Sequence, residues 1–277
     1  MRIRRLLCTF LLTFALVGFL APRAEAQFGA ARVVPAEDYR VELGAVFWTP
    51  SPEVLVSVGS LGVIGSEIDF VNDFGIEKKT FTEFRATLKA GRKHKIRFQY
   101  VPISYDGDTI LQRDIVFAGR VFRLNIPASA ALEWKLWRFG YEWDFVSRER
   151  GYVGLIGELK YNDVRATIGA LGTVEVGEQR APIPALGITG RGYIGRFVSI
   201  TGEFTGFKVW SFLRTKLSDA ETFEANFKDF EVYGTVSITR FLGIQGGYRS
   251  LSAEYVVDAD TGDLQMKGPY LGGLVRF

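Results

Sequence analysis

The sequence predicts an all-β fold, namely a closed antiparallel transmembrane β-barrel with up-and-down topology. Segments that alternate polar and apolar residues recur along the chain between turn residues, as the strands of such barrels do. Outside the N-terminal segment, the most apolar run covers residues 54–65, which is short for a membrane helix and contains Ser and Gly. Since only helices and closed barrels satisfy every backbone polar group in lipid, a membrane-embedded chain of this kind must form a barrel.

Ten strands are predicted from the alternation and from the turns. In residues 198–206 every even position is apolar or Gly and every odd position is Ser, Thr or Glu, and residues 229–239 repeat the pattern. Four tight basic or glycine turns are expected to alternate with longer connections near residues 50–79, 107–128, 167–181, 211–225 and 258–262. Eight or twelve strands remain possible, because the first and fourth strands have the weakest patterns. The predicted strands are 38–49, 80–91, 94–106, 129–146, 151–166, 182–194, 197–210, 226–239, 242–257 and 263–277.

Residues 1–26 are predicted to be a cleaved signal peptide, which leaves residues 27–277 as the barrel domain. Arg2, Arg4 and Arg5 precede an apolar run at residues 6–21, and the Ala-Glu-Ala sequence at residues 24–26 fits the small-residue cleavage pattern. A permanent N-terminal membrane helix is the alternative, but the run is short for a span of ~20 residues. Export to the cell envelope is therefore expected.

The balance of charges gives no composition-based case for nucleic-acid binding. The chain has 34 Lys and Arg residues against 31 Asp and Glu residues, and removal of residues 1–26 takes away four Arg and one Glu. The predicted mature protein then has 30 residues of each sign and no net charge, so composition gives no reason to expect nucleic-acid binding. Cys8, the single cysteine, is removed as well, which excludes disulfides and thiolate metal sites.

A water-soluble barrel with its apolar faces turned inward is the main alternative fold. Aromatic residues that cluster near the ends of the predicted strands count against it, because membrane barrels place aromatic girdles at both interfaces. These residues are Trp48, Tyr100, Trp143, Phe145, Trp210, Tyr270 and Phe277. The membrane barrel is therefore favoured.

The polar positions of the strands predict a lumen that contains both signs of charge. A narrow barrel is filled by side chains, and buried charges persist only when they are paired. We therefore expect a structural salt-bridge network rather than the single-sign constriction of a selective pore, although a conducting lumen remains the second interpretation. The expected network comprises Arg85, Arg97, Arg138, Glu142, Glu158, Lys160, Glu203, Glu231 and Arg249, and the same inward face includes Arg40, Glu42, Glu83, Lys89, Lys95, Asp144, Arg191, Asp229 and Arg276.

The last strand carries an alternation that ends in an aromatic residue. Leu271, Val275 and Phe277 lie on one predicted face and Arg276 on the other. Together with the signal peptide and the alternating strands at 198–206 and 229–239, this end resembles the small outer-membrane β-barrel superfamily of OmpA-like and OmpX-like domains. The resemblance implies location in the cell outer membrane, contact with its lipid, and recognition of the C-terminal strand by the assembly machinery. The oligomeric state stays undetermined.

Neither catalytic residues nor a cofactor or metal site is predicted. His94, the single histidine, adjoins the basic turn at residues 91–93, and a deacylase-like His-x-Ser pair would need serine where Ile96 stands. Acidic clusters occur at residues 67–73 and 258–263, and the second, although its spacing begins like a calcium loop, lacks the downstream glutamate that such a loop requires. Residues 53–70 are too apolar for a free loop and are expected to form a hairpin or to cap the barrel mouth. The expected function is a non-enzymatic structural or surface role; a narrow channel or transporter of small or apolar ligands is the alternative.

Overall fold

The chain forms a closed barrel of ten antiparallel strands in up-and-down order, which confirms the predicted fold class and strand number. The computed structural model describes residues 38–59, 65–208, 223–257 and 260–277, so the predicted signal peptide and Trp210 lie outside the described residues. The elements are β1 (Val41–Trp48), β2 (Ser51–Ser57), β3 (Ile68–Asp69), α1 (Phe70–Phe74), β4 (Phe81–Gly91), β5 (His94–Ile110), β6 (Ile115–Phe117), β7 (Arg120–Phe122), β8 (Pro127–Arg148), β9 (Gly151–Ala170), β10 (Thr173–Tyr193), β11 (Val198–Lys208), β12 (Phe223–Ser237), β13 (Leu242–Val257) and β14 (Asp260–Arg276).

The barrel wall runs β1, β4, β5, β8, β9, β10, β11, β12, β13, β14 and closes where β1 pairs with β14. At this junction the Phe277 N–H donates to the carbonyl oxygen of Val41 at 2.8 Å. The turns at residues 92–93, 149–150, 194–197 and 238–241 share this end, which is named the short-turn end. The opposite end, which carries β2, β3, α1, β6 and β7, is named the loop end. Among the described residues, no helix is long and apolar enough to cross a membrane.

Several strands extend further toward the loop end than the sequence pattern predicts. The predicted connection at residues 167–181 is wrong, because β9 continues to Ala170 and β10 begins at Thr173. Leu171 and Gly172 alone join the two strands, with φ of 50° and 78°. Both values are positive, as a two-residue hairpin turn of type I′ requires. The assumed alternation of short and long connections therefore fails at this hairpin.

The missed strand residues have a reversed polarity, as β8 shows. In residues 137–145 the outward positions are aromatic, and this nine-residue span matches the ~9–11 residues that cross a bilayer. Glu133 and Lys135 face outward in the part of β8 nearer the loop end, while Leu132, Trp134 and Leu136 face inward and are buried. Alternation therefore continues from residue 128 to residue 145, but the polar face and the apolar face exchange places at residues 136–137.

The same exchange occurs around the wall of the barrel. On β9 it falls between Tyr161, which faces outward, and Asp163, and on β13 between Tyr248 and Ser250. The 22 residues of β8 extend about 70 Å at ~3.3 Å per residue, far more than a tilted strand needs to cross a bilayer. The half nearer the short turns thus has the exterior of a membrane barrel, and the half nearer the loop end has the exterior of a soluble one.

Aromatic residues mark both edges of the apolar exterior. At the edge nearer the loop end, Tyr100 stacks on Trp137 with ring centroids 4.0 Å apart, and Trp137 pairs with Tyr161 on the next strand. Trp143 and Phe145 lie exposed at the other edge. These positions fit interfacial girdles.

Two residues predicted for the girdles lie inside the barrel instead. Trp48 and Tyr270 are buried, and they pair with each other at the β1–β14 junction with their side chains directed inward. Their even positions on these strands share the inward face with Val46 and Leu274. Their aromatic character predicted a place in the girdle. Whether a side chain faces lipid or lumen, however, depends on its even or odd position along the strand.

We expect an arginine on the outward face of β8 to be tolerated above the apolar exterior and not within it. Phe139→Arg places a charge at mid-depth in lipid and should lower the free energy of unfolding by about 2–4 kcal/mol, whereas Ala131→Arg should change it by less than about 1 kcal/mol. Denaturant titration of both variants in lipid vesicles measures the difference. Equal losses at the two positions would contradict the assigned membrane boundary.

Candidate functional site

The lumen of the membrane half is filled by a continuous group of ion pairs, here called the ion-pair layer. All nine residues that the sequence nominates lie in it, together with four others from the inward face. Its members are Glu83, Arg85, Lys95, Arg97, Arg138, Glu142, Asp144, Glu158, Lys160, Glu203, Asp229, Glu231 and Arg249, and every one of them is buried or nearly so. The layer is contributed by seven strands around the wall.

Asp229 on β12 is the centre of the layer. Its carboxylate accepts two hydrogen bonds from Arg249, at 3.0 and 2.8 Å, and also lies 3.0 Å from Lys160 Nζ and 3.1 Å from Arg138 Nη1. Three cations from β8, β9 and β13 thus converge on one anion. In a group this deeply buried, each charge depends on its partners because desolvation is costly.

From this centre the pairs continue toward both sides of the barrel. Arg138 also contacts Glu203, whose other oxygen lies 2.6 Å from Arg97, and Arg97 contacts Glu142 at 3.1 Å. Glu142 then pairs with Lys95 at 2.6 Å. This branch connects β11 to β5 and β8 across the lumen.

The second branch runs from Arg249 to the β4 and β14 side. Arg249 contacts Glu83 at 2.8 Å, and Glu83 contacts Arg85 at 2.7 Å. Arg85 lies 2.5 Å from Glu231, which also accepts a hydrogen bond from the Tyr270 hydroxyl. Opposite walls are therefore linked through side chains, as expected for a filled narrow barrel.

Two further inward residues form separate contacts near the short-turn end. Arg276 pairs with Glu42 at 2.6 Å across the β1–β14 junction. Arg191 donates to the Thr201 hydroxyl at 2.8 Å and lies near the rings of Tyr152 and Tyr233. Lys89 lies over the ring of Tyr39, whereas Arg40 is exposed.

Above the ion-pair layer, the half nearer the loop end contains a hydrophobic core, here called the apolar layer. The walls supply part of it, and the loops fold inward to supply the rest. Buried members include Val101, Ile103, Leu132, Trp134, Leu136, Ile168, Leu251, Leu264 and Met266 from strands, and Phe70, Phe74, Ile76, Ile115, Phe117 and Phe122 from the loop end. The sequence pattern does not indicate this layer, because most of these loop-end residues lie in segments that it predicts to be external loops.

The described residues of the apolar first loop form both arrangements expected from its composition, because β2 and β3 pair with each other and their side chains are buried in the barrel mouth. β2 extends the line of β1 along β14, and β3 returns beside β2 before α1 begins. The Asp69 side chain accepts hydrogen bonds from the Val71 and Asn72 N–H groups and so caps the N-terminus of α1. Phe70 and Phe74 are fully buried.

Two glycines make this seating possible. Gly75 ends α1 in the left-handed conformation, with φ of 65°. Gly107 on β5 lies against the backbone carbonyl of Phe74, where a Cβ would clash. The helix therefore packs directly on the barrel wall.

A second loop, between β5 and β8, also folds into the mouth. β6 and β7 form a hairpin that buries Ile115 and Phe117. Asp114 accepts hydrogen bonds from the Leu124 N–H at 2.8 Å and from Arg123 at 2.9 Å, and these bonds hold the pKa of Asp114 below its ordinary value. Two loops thus close the apolar layer from outside.

Cation–aromatic contacts join the two layers. Lys160 Nζ lies 4.3 Å from the ring centroid of Phe227, and the Arg249 guanidinium lies 5.3 Å from that of Trp48. Trp134 donates its indole N–H to the side-chain oxygen of Asn162 at 3.0 Å. At the boundary between the ion-pair layer and the apolar layer, charged or polar side chains of one layer therefore contact aromatic side chains of the other favourably.

One small cavity is lined by described residues. A cavity of about 30 Å³ lies at the mouth beside Val56, Val58, Tyr255 and Asp260, enough for a water molecule. Asp260 accepts a hydrogen bond from the Gly59 N–H at 2.9 Å. In the described part of the chain, no group of three His, Cys, Asp or Glu side chains is placed to hold a metal ion.

The residues nominated as an assembly signal face outward on β14. Leu271 and Phe277 are 61% and 68% exposed, and Val275 is half-buried beside them. Arg276, between Val275 and Phe277, is buried in the lumen. The alternation at the end of the chain thus separates a lipid-facing edge from the interior.

Comparison with known proteins finds a shared fold. No family model and no curated protein sequence matches the chain. The outer membrane protease OmpT from Escherichia coli matches at 9% identity with a TM-score of 0.50, over 86% of this chain and 97% of OmpT. Ail of Yersinia pestis (8% identity, TM-score 0.37, 86% and 99% covered) and the toluene transporter TodX of Pseudomonas putida (6%, 0.37, 86% and 90%) also match. At these identities the likeness to OmpT shows a barrel fold of the outer-membrane type and nothing finer, so the resemblance to OmpA-like and OmpX-like domains stays a prediction.

We expect Asp229→Asn to be among the most damaging single substitutions in the barrel. The amide has nearly the same shape but leaves Arg138, Lys160 and Arg249 without their shared anion, so the free energy of unfolding should fall by about 3–5 kcal/mol. Glu178→Gln is the matched control, because Glu178 contacts Arg165 and Arg180 on the exposed surface and should cost less than about 1 kcal/mol. Urea unfolding in vesicles compares the two. A loss below about 1 kcal/mol for Asp229→Asn would show that the layer does not depend on its centre.

Proposed function

We propose that this chain is an outer-membrane protein whose barrel is a sealed, non-enzymatic anchor that presents its loop end outside the membrane. The observation that carries this proposal is the content of the lumen, an ion-pair layer followed by an apolar layer. The ion-pair layer and the apolar layer each oppose the passage of ions, for different physical reasons. The role that follows is structural or is exerted at the surface of the cell.

The ion-pair layer supports the sealed lumen because its charges of both signs are committed to one another. A selective pore offers passing ions a ring of one sign or a row of carbonyl oxygens. Here an ion would have to separate pairs such as Arg138 with Glu203, at the cost of exposing both. The apolar layer beyond it would offer that ion few polar groups, and an unsolvated charge there is unfavourable.

The single histidine supports a non-enzymatic role. His94 begins β5 at the short-turn end, and its Nδ1 lies 2.5 Å from the Tyr141 hydroxyl. Ile96 occupies the position where a neighbouring serine nucleophile would be required. A residue at this edge of the apolar exterior fits an interfacial role.

The exposed apolar residues of the barrel exterior are the reason to propose membrane lipid and the assembly machinery as partners. Leu271, Val275 and Phe277 are on the outward face of the closing strand, where lipid or an assembly protein can contact them. We propose that this strand is recognised during insertion. The exposed apolar exterior then contacts the acyl chains of the membrane.

The second candidate is a narrow transporter of small or apolar ligands. It is favoured by the position of α1 and of the β6–β7 hairpin in the barrel mouth. Both belong to loops, and both contact the barrel wall through side chains rather than as strands of the wall. Movement of these elements would open the apolar layer. The ion-pair layer would still close the lumen beneath it.

We expect the protein without residues 1–26 to insert into planar bilayers without producing discrete conductance steps. Insertion is verified by heat-modifiable migration of the same preparation on gels. Phe74→Ala should also remain non-conducting, because the ion-pair layer lies below the loosened cap. Steps in the unmodified protein whose size or ion preference changes in Arg138→Glu or Glu203→Lys would contradict the sealed lumen and favour the channel.

A further inference from the structure

Basic residues without acidic partners occur at every junction between strands on the short-turn end. They are Arg92 and Lys93, Arg150, Arg196 and Arg240 in the four turns, and Arg40 beside the β1–β14 junction. All six side chains are exposed. Within the described ranges, none of the six has a carboxylate at ion-pair distance. Because the junctions alternate around the closed wall, these cations form a ring at one rim of the barrel, here called the basic rim.

At the loop end of the same molecule, several exposed basic residues form ion pairs with carboxylates. Lys79 pairs with Asp106 at 2.9 Å, Arg113 with Asp73 at 2.7 Å, and exposed Arg123 with Asp114 at 2.9 Å. Arg165 and Arg180 likewise contact carboxylates on neighbouring strands. These five cations are neutralised within the protein, whereas the cations of the basic rim have no carboxylate partner among the described residues.

Few acidic residues accompany the basic rim. Asp38 and Glu149 are the exposed carboxylates near these turns among the described residues. The rim is therefore distinctly positive, although the predicted mature chain has no net charge. A positive rim of this kind attracts anions at a distance of about one Debye length.

Exposed apolar side chains lie directly beside the cations. Arg196 is followed by Phe197 and Arg240 by Phe241, and both rings are half or more exposed. The Arg240 guanidinium lies 4.5 Å from the ring centroid of Phe241. Ile194 and Ile238 are exposed on the other side of the same turns. Apolar side chains that enter lipid hold their neighbouring cations at the level of the headgroups.

We infer that the basic rim binds the phosphate groups of anionic phospholipids in the leaflet that surrounds the short-turn end. This inference rests on the proposed membrane location. A soluble acidic partner would be served by the cations alone, whereas the interleaved Phe and Ile residues fit the boundary between headgroups and acyl chains. A single basic residue near an anionic membrane surface strengthens binding roughly fivefold, so several acting together favour anionic lipid strongly.

Lipid retention by the protein without residues 1–26 tests the inference. The barrel is refolded in nonionic detergent with equal amounts of phosphatidylglycerol and phosphatidylcholine, and native mass spectrometry counts each lipid that remains bound. We expect a preference of at least about tenfold for phosphatidylglycerol at low salt, decreasing as salt rises. In the rim variant this preference should fall to below about twofold; its substitutions are Arg92→Gln, Lys93→Gln, Arg150→Gln, Arg196→Gln and Arg240→Gln.

A control variant removes the same charge from the opposite end of the barrel. It should retain the preference of the unmodified protein, because its substitutions lie in the loops beyond the apolar exterior. They are Lys78→Gln, Lys79→Gln, Arg113→Gln, Arg120→Gln and Arg123→Gln. If the rim variant does not refold, the double variant Arg196→Gln with Arg240→Gln takes its place and should lose a substantial part of the preference, at least about threefold.

Heat-modifiable migration in phosphatidylcholine vesicles separates this inference from the proposed function. If the unmodified protein fails to insert there, the membrane location fails and the inference fails with it. If it inserts but retains both lipids equally, or if the rim and control variants lose the preference alike, the inference alone is overturned. Retention of polyglutamate without preference for phosphatidylglycerol would assign the rim to an acidic polymer and overturn it as well.

Discussion

The structure depends on one constraint, that charges enclosed in the lipid-embedded half of a narrow barrel must be paired inside it. Asp229 meets this constraint for three cations that come from three strands. Because Arg138 and Arg249 each have a second anionic partner, the pairs extend across the lumen and tie opposite walls together. Strands that are joined only to their neighbours by backbone hydrogen bonds thereby gain contacts across the barrel.

The reversal of polarity along strands such as β8, β9 and β13 follows from a change of solvent outside the wall. Where lipid surrounds the barrel, apolar residues face outward and the lumen receives the polar ones; where water surrounds it, Glu133 and Lys135 can face outward and Trp134 can be buried. One continuous β8 therefore serves two environments, and its alternation is unbroken across the boundary at residues 136–137. The contact between Lys160 and Phe227 shows how the two interiors meet without leaving either an unpaired charge or an exposed ring.

Strands could be recognised from the sequence where they lie in lipid, but not where they extend beyond it. Residues 198–206 were recognisable because the apolar parity is constant there, whereas residues 173–181 present Glu178 and Arg180 on the same outward face and so lost the pattern. Burial of residues 53–70 could be expected from their composition, but their contacts depend on walls such as Ile103 that are distant in sequence. The side chains of Trp48 and Tyr270 show that aromatic identity without parity does not identify a girdle. That the side chains of the ion-pair layer face inward could be predicted from the alternation. Which of them pair with each other depends on the register of seven strands, which the sequence does not show.

A lumen whose charged and apolar residues are both committed to the interior leaves the two rims as the surfaces on which a binding role can be placed. The rims differ in a way that the interior does not require. Arg113 and Arg123 at the loop end are held by carboxylates of the same protein, which orders those loops but reduces their attraction for outside anions. Arg196 and Arg240 have no carboxylate partner among the described residues, and they lie beside the exposed rings of Phe197 and Phe241. The proposed binding of anionic lipid at this rim would therefore add to the direction that the apolar exterior, confined to the half nearer the short turns, already gives the barrel.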